Sequence, residues 1–386
     1  MIAEKDAEGR SPVPAYYRSR IYIDLSDAGR FEEEYERLVR WVYDQPLYVK
    51  PPRGKKPAFL SETPGARVGN RPAMKRALEQ LRDGKPTASA SLEDYLSSVA
   101  ADFEGLRITK EHGAEFDDQV IQSIESFLPT RDDLLAVIQT VARYQTSDEN
   151  LQKIHRFFEE LLKYYAPPPT VMQWTDTDFD NFVFITYELF LHTVAIFIDA
   201  ERFGQAQSLI ATDFYVGQNR RFGNESMVAS NVIDGQLKSL EWRNSRLKLR
   251  RESVQADLLR ERCKSAAIRF ESLAQADIVL YLHFKRRPDS WWYPQTAVYL
   301  GMSYAALPVF ARANSKKYFD RLRVLLGFDT ADQMREWVRE MESGNALPKS
   351  GFDRLPLGRQ ARCRGLSMQP YRQHHSTLPL DRCCGW

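Results

Sequence analysis

FVFITYELFLHTVAIFI, running from Phe182 to Ile198, is the most apolar stretch of the chain, and its reading decides the fold. A spanning helix needs roughly 20 apolar residues, so the run invites comparison with a membrane segment. Three features argue against that reading. Glu188 and His192 lie inside the run, Asp176, Asp178, Asp180 and Asp199 flank it, and no Lys/Arg cluster marks a cytoplasmic end. A helix that is apolar on every side and is not in a membrane belongs at the centre of a bundle. We therefore expect a core helix from Asp178 to Glu201.

Outward from that helix, the apolar residues keep a helical period. Helices are expected over Glu115 to Phe127, Arg131 to Tyr144, Asn150 to Tyr165, a long charged stretch from Val232 to Leu273, and Tyr293 to Phe310. A shorter one is expected near Met74 to Leu81. Breaks are expected at Pro129-Thr130, Pro167-Pro168-Pro169, Gly204, Gly217 to Gly223 and Arg287-Pro288-Asp289. No run alternates long enough for a sizeable sheet, and no period repeats as in a solenoid. The fold class read from this pattern is mainly α.

The first fifty residues differ. Ile21-Tyr22-Ile23-Asp24-Leu25 has strand composition, and Phe31 to Tyr43 carries an apolar stripe of Phe31, Tyr35, Leu38, Val39 and Val42. One strand and one helix cannot bury each other's apolar faces, so this unit calls for more sheet. Lys50 to Pro64 has linker composition, and Ser91 with Asp94 is spaced like a capping box. The organisation read from these signals is an α/β unit over 1–52, a linker over 53–90, a helical body over 91–345 and a disordered tail over 346–386.

The 386 residues are 43% hydrophobic and 12% aromatic, enough for a sizeable core, and 54 basic residues nearly cancel 52 acidic ones. No global field therefore favours nucleic acid or an anionic surface. Four cysteines, three of them at the tail, suit a reducing compartment, and the charged N-terminus has no signal-like run. The expected location is cytoplasmic, with no membrane partner.

The N-terminal segment resembles the end of a bacterial TIR (Toll/interleukin-1 receptor-like) domain. The resemblance runs through Ile2-Ala3-Glu4, Pro12-Val13-Pro14-Ala15-Tyr16-Tyr17, Arg20 to Asp27, Phe31 to Arg40, Gln45-Pro46 and Lys50-Pro51-Pro52. It implies the last strand and helix of a small parallel α/β domain, with Met1 falling near the fourth strand. TIR enzymes cleave NAD with a glutamate that the resemblance places upstream of this segment, together with the self-association loop. No catalytic residue is therefore carried onto this chain, and NAD would be a substrate only with that portion supplied.

Ala276 to Tyr281, Trp291 to Pro294 and Pro308 to Ser315 are similar to helical regions attached to effector domains in bacterial defence proteins. That implies sensing or assembly, with a homo-oligomer or a protein partner.

Two constellations stand out within the helical body. Glu188 and His192, four apart on one face, read either as half of a metal or acid/base site or as a mutually hydrogen-bonded buried pair, and the second is expected. Trp291, Trp292 and Tyr293, following Arg286 and Arg287, read either as an aromatic and cationic ligand surface or as anchors for a helix with Pro294 at its first position. A basic run from Arg243 to Arg251, continued by Arg260, Arg262 and Lys264, could hold nucleic-acid phosphates, but Glu241, Glu252, Asp257 and Glu261 interleave with it as on a solvated helix. Cys363, His374, His375, Cys383 and Cys384 are poorly spaced for zinc. With no GxxxxGK[ST], GxGxxG or GxSxG motif, we expect no catalytic, cofactor or metal site.

Overall fold

The computed structural model describes residues 23, 25, 27–43, 70–109, 113–168, 171–217, 219–223, 225–235, 237–264, 268–287, 290–300 and 307–343. The chain divides into two compact units, residues 1–64 and 65–386. The strand expected at Ile21 to Leu25, the segment Lys50 to Pro64, and the tail with its cysteines lie wholly or mostly outside the described residues.

The first unit contributes helix α1, Phe31–Val42. Three glutamates in its first turn and Arg40 in its last complement the helix dipole. Most of its apolar stripe faces solvent: Phe31, Tyr35, Val39 and Val42 are exposed and Leu38 is half-buried, while Glu34 is buried and held by Arg37 at 2.8 Å and Arg30 at 3.3 Å.

Among the described residues the second unit is built almost wholly of helices: α2 Asn70–Asp83, α3 Ala88–Asp102, α4 Phe116–Ser126, α5 Leu128–Tyr144, α6 Asp148–Leu162, α7 Asp180–Asp199, α8 Phe203–Ala211, α9 Lys238–Arg246, α10 Val254–Arg262, α11 Phe270–Phe284, α12 Ala297–Leu300, α13 Pro308–Ala311, α14 Lys316–Leu325 and α15 Ala331–Ser343. With α1, these make fifteen α-helices among the described residues, against two strands of two residues each, β1 Phe214–Tyr215 and β2 Met227–Val228, paired antiparallel. The chain is thus mainly α.

Helix α7 is the axis of the body. It packs against α4, α5, α6, α8 and α11, and every residue from Asp180 to Ile198 is buried. Among the described residues one helix is long and apolar enough to cross a membrane, this one with its 3-10 lead-in, and its apolar window is wholly covered by protein. Aromatic clusters form on either side of it: Phe103, Phe127 and Phe182 at one end, Phe158, Phe190 and Phe214 further along. Ser147 caps α6 by accepting from Asn150 N, Ser253 caps α10 by accepting from Ala256 N, and Thr175 with Asp178 forms a capping box that leads into α7.

Several expectations need correcting. The stretch from Val232 to Leu273 is not one helix: it breaks into a 3-10 turn, α9, a loop over 247–253, and α10. Among the described residues, Tyr293 to Phe310 holds α12 and the start of α13, and Pro294 does not open a helix; its carbonyl accepts Ala297 N in a turn. Ser91 lies inside α3 and donates to Gln80 Oε1 at 2.6 Å rather than capping. The break expected at Gly204 falls three residues earlier, at Glu201, whose φ of 55° ends α7. Helix α2, within the stretch read as linker, packs against α3 and α5.

Candidate functional site

Glu188 projects from α7 with no exposed surface, and two arginines from other helices converge on it. Arg262 at the end of α10 grips it with two bonds, Nε to Oε1 at 2.8 Å and NH2 to Oε2 at 2.9 Å. Arg131 of α5 adds NH1 to Oε1 at 2.7 Å and also donates to the Arg262 carbonyl at 3.0 Å. The second positive charge is met at the margin, where Asp132 accepts from Arg131 and Glu125 from Arg262. Burial pushes the Glu188 carboxyl up, but the Arg262 and Arg131 guanidiniums outweigh it and hold the group below the usual carboxylate range.

The expected bond between the Glu188 and His192 side chains is absent. His192 Nδ1 instead donates to the Glu188 backbone carbonyl one turn back, at 2.7 Å, and the Glu188 carboxylate is spent on the arginines. The His192 Nε2 is left facing the Cys263 thiol at 3.9 Å. Burial pulls His192 down to about 4 and pushes the Cys263 thiol up to about 12. Both are therefore neutral near pH 7, which is the opposite of the thiolate and imidazolium that nucleophilic catalysis uses. Among the described residues no group of three His, Cys, Asp or Glu side chains could hold a metal. The cluster acts as an ionic clasp joining α5, α7 and α10.

A second polar centre lies beside it. Asp277 of α11 is fully buried and accepts from Trp292 Nε1 at 2.7 Å, Thr296 N at 2.8 Å, Thr296 Oγ1 at 2.7 Å and Tyr187 Oη at 3.1 Å. Burial raises its pKa to about 6 despite these donors. Its role is to bind the extended segment before α12 to the middle of α7.

That segment divides the aromatic group. Trp292 is 2% exposed and stacked between Tyr187 and Phe284, whereas Trp291 and Tyr293 are 60% and 58% exposed. Arg286 donates to the Leu326 and Gly327 carbonyls and lies 3.8 Å from the centre of the Phe328 ring. Arg287 donates to the Ala211 carbonyl at 2.9 Å and faces Asp213 at 3.4 Å. The structure thus leaves Trp291 and Tyr293 exposed and commits Trp292, Arg286 and Arg287 to packing.

The basic run is divided as well. Arg262 is in the core, Arg260 stacks over Tyr299 at 4.6 Å, and Arg243 and Arg246 face Asp117 and Asp118 of α4. A groove of about 450 Å³ opens between α3 and the end of α6, but its charges are paired among themselves, Arg107 with Glu104 and Lys163 with Glu160, both at 2.6 Å. Sequence reasoning missed Arg131 and Asp277. The available signal was Glu188 itself, since a carboxylate in an all-apolar helix requires a cation from another helix.

No family model matches this chain, and neither does any curated protein or solved structure.

Proposed function

We propose that this chain is an assembly and sensing module of TIR-type signalling, a helical scaffold carrying a segment similar to the end of a TIR domain. The observation that carries the reading is the uncovered stripe of α1. Phe31 and Tyr35 stack at 5.8 Å on the helix surface, and Tyr35 is 52% exposed, with Val39 and Val42 continuing the line. Trp41 and Tyr43 extend it at the end of the helix. Contiguous apolar surface of this kind marks a contact site on a folded protein. The polar centres of the helical body, by contrast, are filled by their own donors and acceptors, as suits a rigid support.

Hydrogen exchange over Phe31 to Val42, followed across a concentration series, tests the reading. Protection that rises with concentration, or with an added TIR-domain partner, supports assembly through α1. Amides that exchange at the same rapid rate under every condition would sink it.

A further inference from the structure

In the run Arg243 to Arg251 some cations are occupied and others are not. Arg246 reaches Asp117 at 2.7 Å and Asp118 at 2.8 Å, Arg243 pairs with the same two carboxylates, and Arg251 reaches Asp257 at 3.3 Å. These three fix the base of the loop to α4 and α10. Between them, Lys248 and Arg250 are exposed and, among the described residues, have no ion-pair partner.

The loop that presents them has a defined shape. α9 ends in a Schellman turn, with Lys248 N donating to Ser245 O at 3.2 Å and Leu249 N to Asn244 O at 3.0 Å. The Asn244 side chain then clamps both backbone groups of Arg251, accepting from N at 3.0 Å and donating to O at 2.7 Å. Lys248 and Arg250 occupy left-handed backbone, φ 50° and 53°, where glycine would fit without strain. The leucines alternating with them are not packed inward: Leu247 is 42% and Leu249 39% exposed. Trp242, on the preceding turn of α9, is also exposed.

We propose that the tip Leu247-Lys248-Leu249-Arg250 is a docking point for the surface of an anionic lipid bilayer. Two unpaired cations match lipid phosphates and serine headgroups, and two leucines between them reach the boundary where acyl chains begin. Nucleic acid would use the cations and leave both leucines in water, which is why lipid fits the arrangement better. The sequence reading gave no membrane partner on the balance of charge and the core character of Phe182 to Ile198, and a basic run with interleaved acids does not reveal which cations are already paired.

The contact is peripheral and reversible. Each cation near an anionic surface changes partitioning about fivefold, and each half-buried leucine by a similar factor. The test is sedimentation of the full chain with vesicles of phosphatidylcholine alone and of phosphatidylcholine mixed with phosphatidylserine. Two double variants accompany it, Lys248→Gly with Arg250→Gly and Leu247→Ser with Leu249→Ser. The glycine pair suits the left-handed backbone and so folds at least as readily as the parent.

The expected result is binding to the mixed vesicles only, weakened by salt, and reduced about 25-fold by either double variant. A chain that stays in the supernatant with the mixed vesicles overturns the proposal. So does vesicle binding that either variant leaves unchanged, and so does tight binding of an oligonucleotide that the glycine variant abolishes and the serine variant leaves intact.

Discussion

Replacing Glu188 with Gln changes almost no volume, so it isolates charge from packing. In the parent, one carboxylate with no exposed surface holds two guanidiniums, Arg131 and Arg262, that are 0% and 3% exposed. With the carboxylate gone, the anions beside these guanidiniums include Asp132 and Glu125, whose side chains are 32% and 45% exposed and so screened by water. Removing one partner of a buried ion pair costs about 3 to 5 kcal/mol, because the charge left behind is uncompensated. That is a large part of the 5 to 15 kcal/mol that typically separates folded from unfolded states.

Urea unfolding followed by the helical circular dichroism signal reads this cost directly. A companion variant, Arg131→Met with Glu188→Leu and Arg262→Met, replaces the whole clasp with apolar groups of similar length. It leaves Asp132 and Glu125 free to hydrate, and should lie within about 2 kcal/mol of the parent. A Glu188→Gln protein within about 1 kcal/mol of the parent would refute the reasoning. The clasp would then be an incidental contact rather than a joint between three helices.

Two further outcomes follow from the same geometry. Asp277 has a folded pKa of about 6, against about 3.9 unfolded, so its protonation favours the native state: the contribution is fully present below about pH 4 and is lost as pH rises through 6, amounting to about 2 to 3 kcal/mol. Asp277→Asn lacks this titration, so the difference in stability, parent minus variant, should fall between about pH 4 and 6.5 and be flat above; urea midpoints across that range check it. Gly327 sits at φ 71°, left-handed backbone that alanine adopts only with strain, while the Gln207 amide end near its Cβ position can swing aside, so Gly327→Ala should lower stability by about 1 to 2 kcal/mol in thermal unfolding.

The core helix was legible because a run such as Phe182 to Ile198 has few places to go once Glu188, His192 and its acidic flanks argue against a membrane span. What satisfies Glu188 was not, since Arg131 and Arg262 are 57 and 74 residues away in sequence and no local pattern records that approach. The split within the aromatic triplet was hidden for a related reason. It lies in an extended segment, where successive side chains point to opposite sides; Trp292 therefore enters the core while Trp291 and Tyr293 stay outside, although the three look equivalent as letters. Charge runs mislead similarly: Arg246 and Lys248 are two residues apart, yet one is paired with α4 and the other faces water. On α1 the stripe was legible from its spacing, but its exposure is something only the structure shows.

The claim most open to direct test is that the face of α1 holds copies or partners together. Sedimentation equilibrium of the full chain, beside a Tyr35→Glu, Val39→Glu variant, measures it. The account predicts an assembly larger than the 44.7 kDa monomer that the double variant returns to monomer while its helical content is unchanged. A parent and variant with the same mass at every concentration, alone and with a TIR-domain partner, would contradict it.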